Sequence, residues 1–222
     1  MLQNDEALRR PRGRPQIRPD DETRRLLVAA AGAEFQQHGY AGTGMGAVAQ
    51  RAGVSTKTLY RLIPTKADLF TTVVSERISQ FMLAIDDNAL DALDPDEALR
   101  RILVAYSDLT LSPDAVAINR LVIGECDRFP EIAAAFHEHA VVRINRRIES
   151  WLARETARGR LPVADPEAVA SLLRGMMIME PQRAAMLGQH APLPPDEVAA
   201  RAKACAALFL DGCRRGSVPA EA

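Results

Sequence analysis

The chain has 222 residues, 28 Lys+Arg against 29 Asp+Glu, a formal net charge of −1 and 47% hydrophobic residues. That apolar fraction is enough to bury a core and excludes a chain disordered throughout. Three cysteines without a CxxC exclude a disulfide scaffold and a zinc ribbon. The near-neutral total hides a division. Residues 1–66 carry eleven basic and six acidic side chains, +5, and residues 67–222 carry seventeen and twenty-three, −6. A basic module that meets a polyanion, joined to one that does not, fits this division. The apolar stretch Leu26 to Ala33 is too short to span a bilayer, and no hydrophobic leader follows Met1, so the expected location is the cytoplasm.

Residues 1–19 hold Pro11, Pro15 and Pro19 and read as a flexible basic arm. A helix is expected from Asp20 or Asp21, with Leu26, Leu27, Ala30 and Phe35 at helical spacing and a stop at His38-Gly39. Thr43 or Gly44 can cap a second helix, Met45 to Ala52, which Gly53 ends. Ser55 can cap a third, Thr56 to about Ile63, broken by Pro64. Two short helices joined by Gly53-Val54-Ser55 fit a helix-turn-helix packed through Val48, Ala49, Val54, Leu59 and Ile63. Thr56, Lys57, Thr58, Tyr60 and Arg61 are left facing outward, where they can donate to phosphates and base edges.

The remainder reads as helix: Thr65–Ala89, Pro95–Leu111, Pro113–Arg128, Pro130–Arg158, Asp165–Leu187 and Pro195–Arg215. Prolines and Asp/Ser/Thr mark the starts, Gly159, Gly188 and Gly216 the ends. No segment alternates with period two. The expected fold class is therefore all-α, about nine helices. It divides into a basic arm (1–19), a three-helix DNA-binding domain (20–66), a helical bundle (67–216) and a short disordered tail (217–222).

The stretch LLVAAAGAEFQQHGY, followed by TGM, AGVSTKTLY and KADLF, resembles the DNA-binding domain of TetR/AcrR-family transcriptional regulators. More loosely, SPDAVAINRLVIGECDRFPEIAAAFHEH resembles the C-terminal domain of the AefR-like branch. The chain departs from the usual pattern at Gly44, where Ser is common, and at Leu62-Ile63, where an aromatic or His followed by Phe is usual. The resemblance implies a ligand-responsive regulator without enzymatic activity, dimeric on a pseudo-palindromic operator and most simply a repressor released by a small lipophilic effector. It implies that the helix from Thr56 enters the major groove, with Lys57 near its N-terminus over base edges. Thr56, Thr58 and Arg61 would contact DNA beside it, and Tyr60, Lys66 and Thr43 would meet phosphates. Two of the chain's three lysines are Lys57 and Lys66.

In the arm, PRGRP resembles an AT-hook core, so Arg12 and Arg14 are expected at DNA, either in an A·T-rich minor groove or as a basic tail. The expected effector pocket draws on Phe81, Met82, Tyr106, Ile123, Phe136 and Met176, and the dimer face on Met179, Leu208 and Phe209. Plain core packing is the competing reading of the pocket set. His137 and His139 are two apart and do not share a helical face, so neither a metal site nor a cofactor is expected. Cys205 and Cys213 would lie about 12 Å apart along one helix, too far for a disulfide. GxSxG, P-loop and GxGxxG signatures are absent. A lipophile-binding helical enzyme or carrier and a non-specific nucleoid-type binder are the rival readings, and the motif block Ala52–Tyr60 argues against the first.

Overall fold

The computed structural model describes residues 18–189 and 193–215. The arm residues Arg12 and Arg14, and the tail 217–222, lie outside the described residues. Helix α1 (Asp20–Gly42) places Asp20, Asp21 and Glu22 in its first turn, where carboxylates oppose the positive end of the helix dipole. It buries Leu27, Ala30, Ala31 and Phe35, and leaves the expected Leu26 largely outside. Helices α2 (Met45–Arg51) and α3 (Thr56–Leu62) follow. At the end of α2, Gly53 adopts φ 66. Its amide bonds Gln50 O and that of Val54 bonds Ala49 O, the paired bonds that close a helix over a left-handed glycine. Val48, Ala49, Leu59 and Ile63 are fully buried and pack the two helices onto α1.

Helix α4 (Lys66–Ala84) starts from a capping box between Thr65 and Asp68. It runs from the three-helix unit into the bundle, against α1 on one side and α6, α8 and α9 on the other. The expected helix over Thr65–Ala89 is interrupted because Asp86 accepts from Ala89 N and starts a new turn, α5 (Asp87–Asp91). Helices α6 (Pro95–Leu111) and α7 (Pro113–Glu125) open on Asp94 and Ser112 caps with Pro at the first position. The segment expected as one helix over Pro130–Arg158 is α8 (Pro130–Phe136), a π-helical stretch His137–Val142, and α9 (Arg143–Ala157).

Helices α10 (Pro166–Met186) and α11 (Pro195–Arg215) complete the bundle. Pro181 lies inside α10 and lacks the N–H that would bond Met177 O four residues back. Arg201 of α11 supplies the donor instead, Nε to Met177 O at 2.6 Å and Nη2 to Met176 O at 2.7 Å. No helix among the described residues is long and apolar enough to cross a membrane.

Candidate nucleic-acid interface and its joint to the bundle

The Ser55 hydroxyl accepts from Thr58 N at 3.0 Å and so fixes the first turn of α3. With Leu59 buried on the inner side, Thr56, Lys57 and Tyr60 point outward, Tyr60 at 51% exposure. Among the described residues, these three side chains form no hydrogen bond or ion pair. They are the part of the expected interface that is free to donate to a duplex.

The other expected contacts are engaged within the protein. The Thr58 hydroxyl pairs with Ser55 Oγ at 2.8 Å. Arg61 forms a two-pronged pair with Asp20, at 2.8 and 2.7 Å, that ties α3 to the start of α1. The guanidinium holds the Asp20 carboxyl below the usual carboxylate range. Arg51 is held by Glu34 at 2.6 Å and Gln37 at 2.9 Å.

Thr43 is only 2% exposed, and its hydroxyl donates to Gly39 O at 2.7 Å. It neither caps α2, whose N-cap is Gly44, nor offers a hydroxyl to a phosphate. Lys66 is folded inward rather than outward. Its ammonium donates to Tyr40 O at 2.7 Å and Thr43 O at 2.8 Å and lies 4.7 Å from the Tyr40 ring centroid. Burial pushes its pKa down, while the nearby Glu125 and Glu131 pull it back up. This ammonium closes the turn before α2 and has little left for a phosphate.

That turn, Gly39 to Thr43, is also where the three-helix unit meets the bundle. Gly39 breaks the helical path with φ 70 and ψ 178. The two following amides are taken by Glu125, the last residue of α7: Tyr40 N donates to Oε1 and Ala41 N to Oε2, both at 2.8 Å. The Tyr40 ring packs edge-on against Phe129, centroids 5.1 Å apart, and against Phe70 at 5.9 Å, and stacks with Phe35 at 5.8 Å. Burial first, and the Glu131 carboxylate second, push the Tyr40 hydroxyl up to about 12. Glu125, Phe129 and Glu131 were not legible as site residues. The pairing spans 85 positions in sequence, and its one local sign is a carboxylate at the wrong end of its own helix dipole.

Within the bundle, an apolar cavity of about 50 Å³ lies between α4, α6, α7 and the π-helical segment. Val74, Ile78, Ala115, Ile118, Phe136 and Ala140 line much of it, with Arg77 and Asn119 as polar neighbours. Of the six expected pocket residues, only Phe136 is in this wall. Phe81 reaches the wall of a second, more open cleft of about 470 Å³ beside Ala105 and Leu109 and packs edge-to-face on buried Tyr106 at 6.4 Å, and Met82 packs half-buried on the core. Ile123 is 62% exposed, on the outer face of α7, and Met176 lies on the outer face of α10. Period alone could not separate these faces, since both sides of a bundle helix carry apolar residues.

The outer face of α10 carries Leu172, Met176 and Met179 in one exposed row, with Leu187 exposed just past its end and Leu208 exposed on α11. Phe209, expected with them, instead packs half-buried on the core. Among the described residues no group of His, Cys, Asp and Glu could hold a metal ion.

Residues 27–73 match the family described as bacterial regulatory proteins, tetR family, and residues 97–212 match the AefR-like transcriptional repressor C-terminal domain. The chain is similar to the HTH-type transcriptional activator FasR of Mycolicibacterium smegmatis, 28% identical over 52% of each chain, so the alignment spans about half of that relative. Among solved structures, a protein from Mesorhizobium loti described as a TetR-family regulator superposes with TM-score 0.77 and 28% identity, over 87% of this chain and 98% of that one. The flavonoid-responsive regulator FrrA superposes with TM-score 0.69 and 26% identity, over 87% and 97%.

Proposed function

Because the chain belongs to the TetR family of bacterial regulatory proteins, with an AefR-like C-terminal domain, we propose that it binds a pseudo-palindromic operator as a homodimer and represses transcription until a small lipophilic effector releases it. The observation that carries this reading is α3 itself. It is capped by Ser55, seated on the core through Leu59, and presents Thr56, Lys57 and Tyr60 outward. Two such helices must sit roughly 34–36 Å apart to enter successive major grooves. The exposed α10 row and Leu208 support a dimer face, being an apolar surface that a monomer would leave in water.

The cavity beside α7 supports an apolar effector. At about 50 Å³ it is far smaller than the roughly 300–1,000 Å³ of a ligand pocket. An effector held there pushes its walls apart, and a state that binds effector better than operator releases DNA by linkage. The arm adds Arg12 and Arg14 to the DNA contacts, as a source of phosphate neutralisation.

The test is selection of duplexes from a random pool by the full-length protein, followed by competition against random DNA at fixed salt. A preference of roughly a thousandfold for the selected duplex supports the reading. Equal affinity for both identifies a non-specific binder. Light scattering of Met179→Glu checks the dimer: the variant is expected to be monomeric, and an unchanged mass rejects α10 as the interface.

A further inference from the structure

We propose that Glu125 is the positioning residue through which the bundle sets the orientation of the DNA-reading helices, an inference that rests on the operator-binding reading above. A carboxylate at the C-terminal end of α7 faces the negative end of its own helix dipole, an arrangement unfavourable to α7 taken alone. The offsetting interactions lie in the other unit. Both carboxylate oxygens accept a backbone N–H, from Tyr40 and Ala41, at 2.8 Å. These are charge-assisted bonds to main chain, so they fix the position of the turn itself rather than of one side chain.

The opposite side of the same turn is held from α4, by Lys66 on the carbonyls of Tyr40 and Thr43. The short connection that carries α2 and α3 is thus gripped through its amides by α7 and through its carbonyls by α4. Both helices also line the apolar cavity, α4 through Val74 and Ile78, but only the α7 grip comes from outside the covalent path. Ala115, Ile118 and Asn119 of α7 line the apolar cavity. Ile118 and Glu125 are seven residues apart, two turns and about 10 Å along one rod. Widening the cavity shifts α7, and the carboxylate must then drag the Gly39–Thr43 turn or release it. Either response re-aims α3. Phe129 and Glu131, just beyond the same corner, move with it against the Tyr40 ring and hydroxyl.

The experiment uses full-length protein, the duplex that the parent itself selects, and cavity filling in place of an effector. Ala115→Leu adds three carbons to the α7 wall and is expected to weaken the selected duplex at least tenfold in the parent. In a Glu125→Ala background the same change is expected to alter affinity less than twofold, because the link from α7 to the turn is already cut. Amide exchange reads the grip directly: Tyr40 and Ala41 amides exchange faster in Glu125→Ala, and one of the two stays protected in Glu125→Gln, which folds with the same shape and keeps one acceptor. An equal factor for Ala115→Leu in both backgrounds, no effect of it in the parent, or unchanged exchange at both amides overturns the inference. A parent that selects no duplex overturns the operator reading instead, which separates the two failures.

Discussion

Gly39 and Glu125 fit one another. A Cβ built at Gly39 would lie 2.7 Å from Glu125 Oε1, and the backbone there, φ 70 and ψ 178, is open essentially to glycine alone. The glycine that ends the first helical run is thus demanded twice, by conformation and by the approach of a carboxylate from another helix. The carboxylate cannot swing aside freely, since both of its oxygens hold amides.

Gly39→Ala is expected to destabilise the protein by about 2–4 kcal/mol, more than the roughly 1–3 kcal/mol of backbone strain alone. In a Glu125→Ala background the penalty should fall toward the strain value, because the close contact is gone. Denaturant midpoints of the four proteins measure this cycle, and equal penalties in both backgrounds would show that the carboxylate does not crowd Gly39.

Lys57 and Lys66 carry the same charge but should fail differently. Lys57→Ala is expected to weaken specific DNA binding by about 1–3 kcal/mol with melting unchanged, since its side chain is exposed and free of partners. Lys66→Ala leaves the carbonyls of Tyr40 and Thr43 without their ammonium donor and is expected to cost about 1–3 kcal/mol of stability. The salt dependence of binding separates the two roles. A phosphate-contacting lysine would lower the slope by about one when removed, and Lys66→Ala should leave it unchanged.

Arg201 compensates for Pro181, so their effects should not add. Arg201→Leu is expected to cost about 1–3 kcal/mol in the parent, where it strips the carbonyl of Met177 of its donor. With Pro181→Ala in place, the residue at 181 provides its own N–H and the cost of Arg201→Leu should drop by about half or more. Thermal melts of the single and double variants report the difference.

Tyr40 sets an alkaline limit. Its hydroxyl titrates near 12 in the folded protein, above the ordinary value of 10, because burial and Glu131 disfavour the phenolate. A folded pKa raised above the unfolded one gives stability that is complete below pH 10 and is lost as pH rises from 10 to 12. Chemical denaturation across that range should show the parent losing stability, and Tyr40→Phe losing less of it. Parallel losses in the two proteins would remove Tyr40 as the cause.

Local signals carried much of this protein. Proline at first helical positions, the Asp and Ser caps at 94, 112 and 165, and the glycine at 53 act within a turn or two of their own position. They placed the helix starts and the helix-turn-helix, and the motif from Ala52 to Tyr60 placed the family, because short-range geometry leaves a short-range pattern. Tertiary structure decided which cations are available. Arg61 and Lys66 read as DNA contacts from their positions, and only folding brings Asp20 and the Tyr40 and Thr43 carbonyls to them. It likewise decided which apolar residues face a cavity, which face solvent on α10, and that Glu125 grips a turn 85 residues away. Such pairings depend on how helices cross, and a helical period records which residues share a face but not what that face will meet.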